Sequence, residues 1–541
     1  MRRVKSVEVN PINVAHMMST TLNSRVFRAV VALAASFTVA TAGLADTGLY
    51  LGSKAPYAPL QDPATYEAAP AGFSPLFTQI VARHGSRGLS SPSNDLAIYN
   101  MWLDAQAKGA LTKAGARLGP DVMRIIEANA LLGYGVPGIS APGYGNLTLL
   151  GVQEHTQLAQ RLAARMSALF AGVAATAQTS PRQILVSTSG VNRAIDSSNF
   201  FLASLTNSVA GISSLIANTP ALTAYPVNKP VAQAPGVNRF QLYFHKLAAK
   251  TDLPAATDPY YPVYQYSLQY QSFLSSDPTM LNKINSIVYS TASYAIARTV
   301  LNTLFTPAFV DLLDSAVTKY YNTGSYTFTS SDGKFTTTIT GDGTTAINNV
   351  VDAVNSLYAV YSITPAMINE APVNMGKYFP PGALAQFGYL SDVQDFYQKG
   401  PSITEESPVT FQMSQALLDD FINEGNSIAA GNLAHAAKLR FTHAEIMIPF
   451  QVKLGLPAAS LSVPAASNYT WDTNPWRGEV NASLAQNVQW DFYTNGTTLL
   501  VKMFYNEQET DFPSNCEFAR YLAGTPSHYY TFSGVKACYG Y

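Results

Sequence analysis

Two cysteines in 541 residues, seven histidines and a charged fraction of only 12 % narrow the choices before any motif is read. Cys516 and Cys538 lie near the C-terminus and not in a cluster with histidine, so the spacing of a zinc site is missing. Lys+Arg (33) and Asp+Glu (34) nearly cancel, and the formal net charge of −1 argues against nucleic-acid binding by a bulk positive field. An anionic ligand must then be held by a local basic pocket. Beyond the N-terminal region no apolar run is long enough to span a bilayer, and no internal repeat is visible. What is abundant is apolar side chain: 47 % hydrophobic residues permit a sizeable core and argue against global disorder. The length suits one large domain with an insert, or several domains.

The N-terminus has the layout of a secretory signal peptide. Arg25 and Arg28 precede the apolar run Ala29 to Ala42, and small residues follow at Gly43 and Ala45. Met1 to His16 lies outside that pattern, which leaves Met17 or Met18 open as the start. Residues 1–45 are therefore expected to be a signal peptide. Cleavage after Ala45 removes five Lys/Arg and one Asp/Glu, leaving 28 and 33 and a net charge of −5. The mature chain is expected to be secreted or periplasmic, free of the membrane once the signal is gone. In an exported chain Cys516 and Cys538 are expected to form a disulfide, the alternative being two free buried thiols.

The run Phe77 to Ala82 reads as a buried strand, as do Gln183 to Ser187, Ala437 to Thr442 and Thr498 to Tyr505. Helical patterns occupy Asn94 to Gln106, Gly109 to Leu132, the stretch from Thr148, and the residues after Arg193. Leu158, Leu162, Met166 and Leu169 recur at spacings of three and four, with Glu154, Gln157, Gln160 and Arg161 assigned to the opposite side. Strand–helix alternation predicts an α/β fold with a doubly wound, mainly parallel sheet. Between residues 205 and 390 the pattern changes to helices over Ile284 to Leu304, Ala308 to Tyr320 and Thr345 to Tyr361. Asp332-Gly333, between alternating Thr/aromatic runs, signals one β-hairpin. A helix over Met413 to Asn426 returns the chain to the α/β pattern. The expected organisation is an α/β core from 46–204 and 391–541, with 205–390 as a mostly α-helical insert.

Chemistry concentrates just beyond three of the expected strands. The first is followed by Arg83-His84-Gly85-Ser86-Arg87, the second by Arg193, and the third by His443-Ala444-Glu445. A neutral imidazole can attack phosphorus, and guanidiniums clamp phosphate oxygens with paired N–H donors. Gly85 is expected to allow a tight turn that aims the histidine and both arginines into one pocket. Taken singly, Arg193 reads as a surface helix residue, His443 as a satisfied core histidine and Glu445 as a helix-start carboxylate. Their equivalent placement after three strands favours one crevice at the carboxyl edge of the sheet.

The Arg-His-Gly-x-Arg stretch resembles the signature of the histidine acid phosphatases, in which the first histidine becomes a phosphohistidine. Ser187 to Ser198 is similar to that family's later arginine segment, and Phe441-Thr442-His443-Ala444-Glu445 to its C-terminal one. Many members carry His-Asp there; His-Ala-Glu is the form of the multiple inositol polyphosphate phosphatases. Leu51-Gly52-Ser53-Lys54-Ala55-Pro56-Tyr57 resembles an N-terminal Gly-Thr-Lys-Thr-Pro-Tyr element of that subfamily. Asp395 to Gly400 and Phe504 to Glu507 resemble later segments. Gly88, Ser53 and Ala55 depart from the usual residues.

The resemblance implies His84 as nucleophile and Glu445 as proton donor, with Arg83, Arg87, Arg193 and His443 binding phosphate. It implies no cofactor and no metal. Lys54, Lys246 and Lys399 are candidates for outer contacts with a polyanionic small molecule, an inositol polyphosphate. A general acid phosphatase, a phosphomutase of the wider fold and a non-catalytic phosphate-ester binder are the alternatives. Oligomeric state is not legible.

Overall fold

The computed structural model describes residues 48–541 apart from 224, 229–232 and 316–317, so the expected signal peptide lies outside the described residues. Its centre is an eight-stranded sheet. In chain order the strands are β1 (Ser74–Arg83), β2 (Gln183–Thr188), β3 (Ile216–Asn218), β4 (His435–Thr442), β5 (Asn487–Thr494), β6 (Leu499–Tyr505), β7 (Gln508–Thr510) and β8 (Tyr529–Thr531). The spatial order is β7-β6-β5-β1-β4-β2-β3, with β8 also pairing β6.

β1, β4, β2 and β3 run parallel. Beyond β1 an antiparallel wing of β5, β6, β7 and β8 completes the α/β sheet. β5 was not foreseen. Its Val488, Trp490 and Phe492 alternate with Gln489 and Asp491, yet all five are buried. Arg165 makes the polar members tolerable: its Nε donates to Asp491 at 2.7 Å, and Asp491 also accepts from the Thr78 hydroxyl at 2.6 Å.

Side-chain alternation along β1 sends neighbours to opposite faces. Ile80 and Ala82 join Ile184, Val186, Leu439 and Phe441 in one apolar cluster. Leu158 and Leu162 of α1 (Leu149–Arg165) and Phe201 and Leu205 of α2 (Asn192–Ser208) cover that face. Phe77 and Val81 enter a second cluster with Phe421, Phe450 and Trp490 on the other face. Each fully buried Leu or Phe stabilises this arrangement by about 1.5–3 kcal/mol.

The second cluster also takes in Leu301, Val350 and Leu357, from helices between the two stretches of sheet. Three of those helices differ in extent from the expectation. Ile284 to Leu304 is two helices, Pro278–Val288 and Thr291–Leu304, because the Ser290 hydroxyl accepts from Ser293 N and starts a new one. The helix expected over Ala308 to Tyr320 is Pro307–Asp314, and Tyr320–Tyr321 instead pairs with Ala346–Ile347. Asn349 caps Val350–Ile363, which starts five residues later than the expected Thr345. The hairpin is present, with Ser325–Thr329 against Thr336–Thr340. Cys516 and Cys538 form the disulfide, Cα atoms 5.2 Å apart.

Candidate active site

Parallel register aligns three strand ends. Arg83 is opposite Thr442, and Thr188 is opposite Phe441, so β1, β4 and β2 finish level with one another. The residues that follow are His84, His443 and Ser189. The three segments picked out by sequence therefore meet at one edge, with Arg193 in the first turn of α2 and Glu445 in the first turn of the helix Ala444–Leu454. Here α3 is Ala383–Gln398 and α4 is Ala444–Leu454.

His84 is fixed by its backbone N–H, which donates to Thr442 O at 2.8 Å. Its Nδ1 lies 2.9 Å from Gly85 O. A carbonyl only accepts, so Nδ1 carries the proton and Nε2 keeps its lone pair. Burial, then the charges of Arg193, Arg83, His443 and Arg87, push this imidazole well below its ordinary range. It is a neutral base surrounded by cations.

Arg83 and Arg87 are buried, Arg193 is half-buried, and the Nε of each is a buried donor without a partner among the described residues. His443 Nδ1 is a fourth such atom. The other sides of these groups are engaged. Arg83 Nη1 donates to Ser53 O at 2.8 Å and also to Ala482 O, Arg87 Nη1 to Gly88 O at 2.6 Å, and His443 Nε2 lies 2.8 Å from the Ser189 hydroxyl. Burial and mutual repulsion lower Arg83 to about 10 and Arg87 to about 9, so both are still cations at neutral pH. The rings of His84 and His443 are 5.3 Å apart.

Gly85 does not have the positive φ that a turn-forming role suggested. Its requirement is closeness. A Cβ on Gly85 would lie 2.6 Å from Gly151 O, and a Cβ on Gly151 would lie 2.1 Å from Ser86 O. The loop after β1 thus rests backbone to backbone on the first turn of α1. Glu154, one turn further along, locks it there: it accepts from Ser86 N at 2.6 Å, the Ser86 hydroxyl at 2.7 Å and Tyr57 N at 2.8 Å. Glu154 is buried, not on the solvent side of the helix. The signal was present, since 154, 158 and 162 are spaced by four and share a face. His155, also buried, donates from Nε2 to Arg83 O at 3.1 Å.

Two of the three candidate lysines reach this region. Lys54 is half-buried; burial, then Arg87 and Arg83, push its ammonium down to about 7. Lys399 follows α3 and binds Asp395 at 2.7 Å and Glu445 at 3.7 Å. Lys246 is exposed and makes no side-chain hydrogen bond or ion pair with the pocket residues among the described contacts. Its neighbour His245, which the sequence reading passed over, is buried with Nδ1 unpartnered and lies 4.6 Å ring to ring from Tyr243, which in turn packs on His443. Burial alone would raise Glu445. Lys399, then His245 and His443, outweigh it and hold the carboxyl well below the usual range.

No protein-family model and no curated protein matches the chain. Solved structures do. The multiple inositol polyphosphate phosphatase of Bifidobacterium longum, in complex with inositol hexasulfate, is 30 % identical over 91 % of this chain and 97 % of its own, with a TM-score of 0.77. Its apo form gives 0.78 at the same identity, over 91 % and 98 %. The phytase from D. castellii shares the fold at 13 % identity and a TM-score of 0.55, over 91 % of this chain and 85 % of its own.

Proposed function

The chain belongs to the histidine acid phosphatase family, alongside its multiple inositol polyphosphate phosphatases, and from that premise we propose that it hydrolyses phosphomonoesters through a phosphohistidine at His84. The observation that carries the reading is the ring of buried, unpartnered donors on Arg83, Arg87, Arg193 and His443 around an imidazole whose Nε2 is free to attack. Buried N–H groups without a partner among the described residues on three arginines suit an anion with several equatorial oxygens.

In the first step His84 Nε2 forms a bond to phosphorus as the P–O bond to the leaving alcohol breaks. The arginines and His443 balance charge on the three remaining oxygens. Glu445 gives a proton to the departing alkoxide. In the second step water attacks the phosphohistidine and passes a proton to Glu445, releasing inorganic phosphate and restoring His84.

Inositol hexakisphosphate is the substrate proposed, because Lys54 and Lys399 extend the positive lining beyond one phosphate. The leader layout and the disulfide favour an exported enzyme. The test is rapid acid-free quenching with labelled substrate, followed by mapping of the phosphorylated peptide. Label on His84, absent in His84→Ala, is expected. Turnover by purified His84→Ala at the wild-type rate would end the proposal. Preference for a simple monoester in kcat/KM would favour a general acid phosphatase.

A further inference from the structure

The pocket contains a carboxylate whose counter-ion is itself suited to binding substrate. Lys399 stands between Asp395, at 2.7 Å, and Glu445, at 3.7 Å. We infer that Lys399 is a specificity-determining gate: its ammonium keeps Glu445 ionised until a second phosphate group of the substrate draws that ammonium away. The inference rests on Glu445 being the acid of the proposed reaction.

An ionised Glu445 accepts protons and does not donate them, so the substrate-free enzyme is not ready to protonate an alkoxide. The charged and titratable groups facing Glu445 are Lys399 at the end of α3, His245 in the 244–246 turn, and His443 before α4. Arg83 and Arg87 face it after β1, Arg193 in α2, and Tyr270 in the helix Tyr261–Ser276. Most are cations or neutral rings, and Lys399 has the largest charge effect on it. The reacting phosphate engages the three arginines and His443. It does not by itself occupy Lys399. A phosphate on a neighbouring carbon of the same ring can do so, pairing with the ammonium while Asp395 keeps its hold. Glu445 then loses its counter-charge and takes a proton from solvent. That proton goes to the leaving alkoxide as the P–O bond breaks, and the attacking water returns one in the second step. A substrate with a single phosphate leaves Glu445 paired with Lys399 and reacts slowly. Selectivity for polyphosphates therefore arises in kcat as well as in binding.

The experiment compares inositol hexakisphosphate with glycerol 2-phosphate, a single phosphate on an alkoxide leaving group, by pH profiles of kcat. Activity needing protonated Glu445 is lost as pH rises. In the wild type this loss is expected at lower pH for glycerol 2-phosphate than for inositol hexakisphosphate. In Lys399→Met the glycerol 2-phosphate limb is expected to move to higher pH by about one to three pH units, the effect of removing a neighbouring opposite charge. The preference for the hexakisphosphate falls at least tenfold with it. Asp395→Asn should move the limb the other way, since Lys399 then serves Glu445 alone, and Lys399→Arg should keep the wild-type position. Melting temperatures report folding, and if Lys399→Met fails to fold, the direction of the Asp395→Asn shift decides. Unmoved limbs, with both substrates losing activity in parallel, would reduce Lys399 to an ordinary contact and overturn the gate while leaving the phosphatase reading intact. A wild type that releases phosphate from neither substrate would overturn that reading itself.

Discussion

Replacing Gly151 by alanine tests whether the catalytic loop is positioned by contact with a helix and not by its own sequence. Gly151 lies in the first turn of α1, where its N–H is capped by the Thr148 hydroxyl at 3.2 Å, and it carries no chemistry. The new Cβ would sit 2.1 Å from Ser86 O, 2.8 Å from Ser86 N and 3.0 Å from Ser86 C. Those are backbone atoms, so no rotamer change relieves the clash. Reaching even a tight contact of 3.0 Å requires the loop or helix to move by about 1 Å. That displacement also disturbs the Glu154 carboxylate, which holds Ser86 at 2.6 and 2.7 Å. A misplacement of about 1 Å at a reacting group costs on the order of 100-fold in rate. Overpacking costs about 1–3 kcal/mol of stability, of which the helix propensity of alanine over glycine offsets about 1 kcal/mol. The protein should therefore fold. The assay is kcat/KM on both an activated aryl phosphate and inositol hexakisphosphate, with a melting curve alongside. Both substrates should lose about 100-fold, because the nucleophile and not the acid is displaced. A folded Gly151→Ala variant with near wild-type activity would show that the loop keeps its geometry without the close approach, and the account of Gly85 and Gly151 would be wrong.

Glu445→Gln should slow inositol phosphates by about 100- to 10,000-fold, the range of general acid catalysis, yet leave an activated aryl phosphate within a few-fold, since that leaving group departs unprotonated; single-turnover rates on both substrates decide, and equal losses would place the acid elsewhere. Acid stability should depend on the pair Asp420 and Glu424, both held down to about 2: burial opposes this, but Arg440 and Lys438 outweigh it for Asp420, and His435 and Lys438 for Glu424. Because their folded values lie below the unfolded ones, the stability they supply is present above about pH 4–5 and lost as pH falls through about 2, each contributing on the order of 2 kcal/mol. Urea midpoints of wild type and Asp420→Asn should differ widely at pH 6 and converge toward pH 2; a constant gap would refute the linkage.

Much of the α/β half was legible because its strands have a local signature. β1, β2 and β6 are mainly apolar runs and β4 alternates Ala437, Leu439 and Phe441 with Lys438 and Arg440; each was read within a few residues of its observed ends. β5 escaped because burial here is not the same as hydrophobicity. Gln489 and Asp491 are as inaccessible as Trp490, and distant residues, Arg165 and Thr78, help make that possible. No window of sequence contains both partners. The helix breaks at Ser290 and Asp314 failed for a related reason. Apolar periodicity continued through them, while the deciding features were a serine cap and the distant pairing of Tyr320 with Ile347 and Tyr321 with Ala346.

The proposed catalytic loop and its partners were readable because phosphate chemistry needs charged residues at strand ends, and so few charges exist in this chain that a cluster stands out. The supporting groups were hidden for the opposite reason. Glu154 looked like a solvent-side helix residue, although its spacing from Leu158 and Leu162 put it on the packed face. A carboxylate on that face demands donors, and it finds three in the backbone and side chain of residues 57 and 86. His245 carried no motif and acts on Glu445 through space, while Asp395, at the start of a segment that resembles the family, reaches it through Lys399. Sequence placed a carboxylate one residue after the alanine at 444 and assigned it the proton. The surrounding groups add a condition: Lys399, then His245 and His443, hold the Glu445 carboxyl well below the usual range. In the proposed mechanism its role as an acid requires negative charge to arrive with the substrate. The more phosphates the substrate brings, the more completely that condition is met, so on the proposed reading the acid and the substrate preference are two consequences of one charge balance.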